Sequence, residues 1–81
     1  MDSIRLYIVS PEKVILDREV SSVTLPGAVS PFQVLRDHAP LITSLSAGNV
    51  SYVAEGASDS FPIRSGFAEV RENTVTVAVE L

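Results

Sequence analysis

Apolar and polar residues alternate with period 2 along most of this chain, and turn chemistry interrupts the alternation every ~8–12 residues. That combination leaves little room for anything but short strands. Ile4, Leu6 and Ile8 alternate with Arg5, Tyr7 and Val9. Val75, Val77 and Val79 alternate with Thr74, Thr76 and Ala78, a β-branched run that suits a pleated, half-buried surface. Residues 20–25 read as one further run, with Val20, Ser22 and Thr24 on one face and Ser21, Val23 and Leu25 on the other. Between the runs, Pro26-Gly27 predicts a type II turn with glycine at positive φ. Ala47-Gly48-Asn49 separates two strands, residues 55–59 predict a hairpin loop, and Arg71-Glu72-Asn73 another. Ser10-Pro11-Glu12 has the look of a helix start, with Ser10 as N-cap and Pro11 at the first helical position. Yet Lys13 stands where a capping box needs Glu or Gln, and Val14-Ile15-Leu16 adds no second apolar turn, so a turn followed by a strand is favoured. The expected class is all-β, a sandwich or barrel of about eight or more strands, forming one domain over residues 1–81.

A chain of 81 residues buries roughly 60–65% of its unfolded surface, so docking on a partner adds burial that the small core cannot supply. The formal net charge is −4, and the six basic residues are scattered, which excludes the clustered positive surface that nucleic-acid binding requires. With no cysteine there is no disulfide, thiolate nucleophile or thiolate metal site. No apolar run approaches the ~20 residues of a membrane helix, and the first residues lack a signal-peptide pattern, so direct bilayer insertion is not expected.

Little here points to catalysis. His38 is the one histidine, and its neighbour Asp37 reads as a turn residue before Pro40. Gly56-Ala57-Ser58-Asp59-Ser60 lacks the closing glycine of a nucleophile elbow. Asp17 and Glu19 share a strand face that is expected to be solvated. No Walker-type phosphate loop is present, so neither cofactor nor metal is expected.

Several short motifs stand in order along the chain: Val9-Ser10-Pro11-Glu12, Ser22 to Gly27 (Ser-Val-Thr-Leu-Pro-Gly), His38-Ala39-Pro40-Leu41, Ala47-Gly48, Gly66 to Val70 (Gly-Phe-Ala-Glu-Val) and Asn73 to Val77. Each is weak alone, but the ordered set resembles the amino-terminal domain of the ATP synthase epsilon subunit, called delta in mitochondria. The resemblance implies a small flattened β-sandwich at the foot of a rotary central stalk, on the cytoplasmic face of a bacterial plasma membrane and peripheral to it. It implies docking on the gamma subunit and on the polar loops of the c-ring, coupling proton flow to ATP synthesis without nucleotide chemistry. Ring contact then falls to Gly27, Ala28, Val29, Ser30, Pro31, Asp37 and His38, and gamma contact to Ile15, Ile42, Thr43 and Ala78. Whether Ile15 and Ile42 are interface or ordinary core is left open by alternation alone.

Departures from the family pattern matter too. Ala28, Ser30, Pro31 and Gln33 stand where the family often carries glutamate and glycine, which removes acidic groups from that loop. Arg36-Asp37 replaces the usual proline or glycine before the histidine, and Arg64-Ser65-Gly66-Phe67 has one glycine fewer. The family's carboxy-terminal helical hairpin is not included in these 81 residues, so they are expected neither to bind ATP nor to suppress its hydrolysis. The competing reading is a free-standing ligand-binding β-sandwich of the carbohydrate-recognition or adhesion type. Against it, Tyr7, Phe32, Tyr52, Phe61 and Phe67 lie mostly on strands expected to supply core.

Overall fold

The computed structural model describes residues 3–81 and contains nine strands and no helix among them. They are β1 (Ile4–Val9), β2 (Val14–Val20), β3 (Ser22–Leu25), β4 (Phe32–Val34), β5 (Leu41–Leu45), β6 (Gly48–Ala54), β7 (Ala57–Ile63), β8 (Ser65–Arg71) and β9 (Thr74–Glu80). Two sheets stack as a sandwich of 32 × 22 × 19 Å, one five-stranded in the order β2-β1-β9-β8-β5 and the other four-stranded in the order β4-β3-β6-β7. All pairings are antiparallel except that of β1 with β9, which is parallel.

Alternation decides the core. Ile4, Leu6 and Ile8 point inward from β1, and Val75, Val77 and Val79 from β9, all buried. They meet Val23 and Leu25 of β3, Val34 of β4, and Val50, Tyr52 and Ala54 of β6. Residues 10–13 form the favoured turn rather than a helix, closed by Ser10 N–H donating to the Lys13 carbonyl at 2.9 Å. Just after it, Ile8 faces Leu16 while Val9 faces Val14, so Ile15 is the extra residue of a bulge.

Residues 20–25 are not one strand. Val20 ends β2 in the first sheet, Val23 and Leu25 are buried in the second, and the inward parity slips by one residue at Ser21. There the chain changes sheets, and Ser21 N–H and Oγ–H both donate to the Val53 carbonyl, at 2.8 and 3.1 Å. Pro26-Gly27 also departs from expectation. Gly27 does not have positive φ. Its N–H donates to the Leu25 carbonyl at 3.0 Å, a three-residue turn centred on Pro26, whose ring presets φ. Glycine is needed for space instead, since a Cβ would come within 2.5 Å of the Ser30 carbonyl oxygen.

The two hairpin turns are tighter than the sequence suggested. Glu55 and Gly56 both have positive φ (53° and 78°), as do Glu72 and Asn73 (51° and 61°). Two central residues at positive φ match the right-handed twist of the flanking strands. The turns therefore take two residues each, and Ala57 to Asp59 already belong to β7.

Asn73 has a second duty. Its Oδ1 accepts from the Asp37 N–H at 2.6 Å, and its Nδ2 donates to Asp37 Oδ1 at 3.2 Å. This reciprocal pair holds Asp37 in the left-handed region, φ 64°. Asn73→Ala loses both bonds and puts alanine at positive φ, so we expect a cost of about 1–2 kcal/mol. Calorimetry should show this as a fall in Tm of roughly 5–15 °C for a domain of this size. Asn73→Gly, which keeps the φ, should fall less.

Candidate functional site

The outer face of the five-stranded sheet is the part of the surface that fold alone does not explain. Register places one residue from each strand in a row across it: Val14 opposite Val9, Val9 beside Ala78, Ala78 opposite Phe67, Phe67 opposite Ser44. With strands about 4.8 Å apart, the row runs roughly 19 Å. Phe67 is 65% exposed and Val14 52% exposed. The next row pairs Tyr7 with Asp17 and Thr76, and Glu69 with Thr76 and Ile42, the last 75% exposed. The third row is charged, with Arg5 beside Glu19 and Thr74, and Thr74 opposite Arg71. In this direction the face grades from apolar to charged, while Glu80 stands on the other side of the apolar row.

An open groove of about 570 Å³ lies along the apolar row. Ala78 forms its floor, Phe67 one wall, and Val9 with Pro11 the other. At the charged end, Arg5 Nε donates to Asp17 Oδ1 at 2.7 Å and Arg5 Nη1 to Glu19 Oε2 at 3.5 Å. The guanidinium pKa is raised, first by the Asp17 hydrogen bond and charge, then by Glu19.

The residues expected to form one gamma face divide. Ile42 and Ala78 project outward and are exposed. Thr43, next to Ile42, belongs to the inward side of β5, opposite buried Ala68. Ile15, in the bulge, is half-buried against the core. Phe67, expected with the core aromatics, is instead the most prominent side chain on the apolar row. Tyr52 is the aromatic that is buried, while Phe32 and Phe61 pack partly against the core. The signal for Phe67 was available: it shares strand parity with Glu69 and Arg71, and its neighbours Ala68 and Val70 have the opposite, apolar parity.

The second expected group divides as well. The 27–31 loop joins β3 to β4 and is pinned to the end of β5. Gly27 bridges Leu45, Ala28 N–H donates to the Ser44 carbonyl at 3.1 Å, and Ser46 N–H donates to the Pro26 carbonyl at 2.8 Å. Gly27 is buried, while Ala28, Val29, Ser30 and Pro31 are exposed, Val29 completely. No residue from Val20 to Leu35 carries a charge. Asp37 and His38 sit at the other end of β5, about 13 Å of strand away, where Asp37 is held by Asn73. His38 is half-buried, with Nδ1 2.7 Å from the Ala39 carbonyl. Loop and Asp37-His38 are therefore two places on the surface.

Elsewhere, Tyr52 Oη–H donates to Asp59 Oδ2 at 3.3 Å. Burial pushes its pKa up, and the Asp59 charge adds to this, while nearby Arg18 works against both. Arg18 has inward parity on edge strand β2, and an inward charge discourages pairing with another sheet. Among the described residues, no group of three His, Cys, Asp or Glu is placed to hold a metal ion, and no helix is long and apolar enough to cross a membrane.

Fold and surface together define a small two-sheet β-sandwich with one apolar outer sheet face. The chain belongs to the family of the ATP synthase delta/epsilon chain β-sandwich domain, whose pattern matches residues 3–81. Its relatives include an ATP synthase epsilon chain of Citrifermentans bemidjiense, 39% identical over 79 residues, covering 98% of this chain and 57% of the relative. Another, from Carboxydothermus hydrogenoformans, is 41% identical over 76 residues, covering 94% and 57%. This chain thus spans little more than half the length of the relatives it matches. Among solved structures, a chain in the Euglena gracilis mitochondrial ATP synthase (OSCP/F1/c-ring) superposes with TM-score 0.90 at 25% identity, over 95% of this chain and 50% of that one. A chain in the Tetrahymena thermophila mitochondrial ATP synthase central stalk and c-ring shares the fold, with TM-score 0.80 at 17% identity, over 95% and 63%.

Proposed function

We propose that this chain is a non-catalytic central-stalk subunit of an F-type ATP synthase, docking on the gamma subunit and on the polar loops of the c-ring so that proton flow turns with ATP synthesis. The reading places it peripherally, on the cytoplasmic face of a bacterial plasma membrane. The observation that carries it is the apolar row Val14, Val9, Ala78 and Phe67, ending at Ser44, across the outer sheet face of a domain of this family. A contiguous exposed apolar strip on a small domain marks a partner site, and interface centres favour such side chains. Ile42 and Ala78 belong to this gamma face, with Phe67 added. Thr43 and Ile15 support it from within.

Ring contact falls to the 27–31 loop. It is braced on β5 and flanked by Pro26 and Pro31, so Val29 is presented with little further ordering cost. Because the loop is uncharged, this contact is neutral, in contrast to the acidic loop common in the family. Asp37 and His38, at the far end of β5, are assigned to holding the turn before β5 rather than to the same contact.

The chain has no cysteine, so single-cysteine variants report position cleanly. Ala78→Cys is expected to cross-link to gamma and Val29→Cys to a ring subunit in the assembled complex. A Val29→Cys product with gamma would remove the loop from the ring contact. Failure of Ala78→Cys to reach gamma from any paired gamma cysteine would remove the sheet face.

A further inference from the structure

We propose that the outer sheet face is coded for a partner surface carrying one bulky apolar side chain between two basic ones. The proposal rests on the reading that gamma covers this face, and adds what gamma must present there. The apolar part follows from shape. Within the row, small Ala78 lies between Phe67 and Val9, so the groove of about 570 Å³ has a low floor and two raised apolar walls. A flat partner would leave the low point over Ala78 empty, whereas one large aliphatic or aromatic side chain entering there packs between Phe67 and Val9 and takes up the deepest part of the groove.

The basic part follows from charge. Four carboxylates, Asp17, Glu19, Glu69 and Glu80, stand on this face against the guanidiniums of Arg5 and Arg71. Arg5 engages Asp17 and Glu19. Glu69 and Glu80 have no ion pair among the described residues. They bracket the apolar row: Glu69 is two residues beyond Phe67 on β8, and Glu80 two residues beyond Ala78 on β9, in the opposite direction. Along the strand axis that is a separation of about 13 Å. Unpaired carboxylates either side of an apolar centre steer a basic rim into register and repel an acidic one.

The test is surface-immobilised gamma binding this chain over a range of salt. Glu69→Lys with Glu80→Lys should slow association about tenfold at low salt and flatten the salt dependence, with dissociation little changed. Ala78→Trp, which fills the floor, should speed dissociation about tenfold or more without altering the salt dependence. Thermal melts of each variant confirm that the fold persists. Phe67→Asp separates the docking face from the code carried on it. If Phe67→Asp weakens binding while the lysine pair and Ala78→Trp leave it unchanged, the face is right and the code is wrong. If Phe67→Asp has no effect either, the docking reading itself falls. Self-association of this chain that Ala78→Trp abolishes would assign the groove to a second copy and overturn the proposal.

Discussion

A chain carrying Val77→Asp is expected to show no cooperative thermal transition and a far-ultraviolet spectrum without the β minimum. Val77 is fully buried in β9, between Ile8 of β1 and Ala68 of β8 in the sheet register. An ionised carboxylate there has no partner within the core cluster, which contains no buried charged residue. Burying it costs several kcal/mol. A domain of this size holds only about 4–12 kcal/mol in all. Val77→Ala, which removes two methyl groups, should cost only about 2–3 kcal/mol and still fold. A cooperative melt for Val77→Asp near the parent temperature would mean that the inner face of the β1-β9-β8 centre is not the core of the domain.

The same chemistry on the outer face should leave the fold intact and strip away the partner. Ile42→Asp and Phe67→Asp alter side chains that are 75% and 65% exposed, so each should shift unfolding by about 0.5 kcal/mol or little more, chiefly through β propensity. Binding to gamma is another matter. Phe67 is a wall of the groove, and large aromatic anchors near the middle of an interface dominate its energy. A carboxylate at Phe67 puts a charge at the proposed apolar centre, and one at Ile42 gives up exposed apolar area and crowds a second negative charge against Glu69. Affinity should fall by about 2 kcal/mol or more for each, roughly thirtyfold. Isothermal titration against isolated gamma checks this directly. Affinity within threefold of the parent for both variants would remove the face from the interface. Phe67 lies opposite Ser44, two residues from Ile42, so the double variant should fall short of the sum of the singles.

How much of this was legible beforehand depends on which physical signal carried it. Strand alternation and small-residue turns revealed the all-β class, and the inward sets of β1 and β9 were readable side chain by side chain. The change of sheet at Ser21 was not, because a one-residue slip in parity looks like noise until the partner strands are known. Pro26-Gly27 carried a true turn signal with the wrong reason, since glycine there answers to the Ser30 carbonyl rather than to φ. At the candidate site, resemblance supplied Ile42 and Ala78, but adjacent Thr43 could not share their face under a period of 2, and that was readable. Phe67 was missed because a phenylalanine on a strand is ordinarily core; only its parity with Glu69 and Arg71 argued otherwise. The separation of the 27–31 loop from Asp37 depends on which end of β5 each reaches, and that is a property of tertiary pairing.

The parallel pairing of β1 with β9 bears on how the molecule is made. The apolar row draws Val14 and Val9 from the first twenty residues, and Ala78, Phe67 and Ser44 from the later part of the chain. The two halves join only at the β1–β9 seam, between residues some seventy positions apart. Such long-range closure comes late in folding. While synthesis is under way, β1 and β2 exist as an isolated hairpin, which is marginal at best in water. A nascent chain on the ribosome therefore offers no finished docking face until residues 74–80 have left the exit tunnel. Under the proposed docking, assembly is thereby timed: a stalled or shortened product ending before β9 has no finished face to offer a partner.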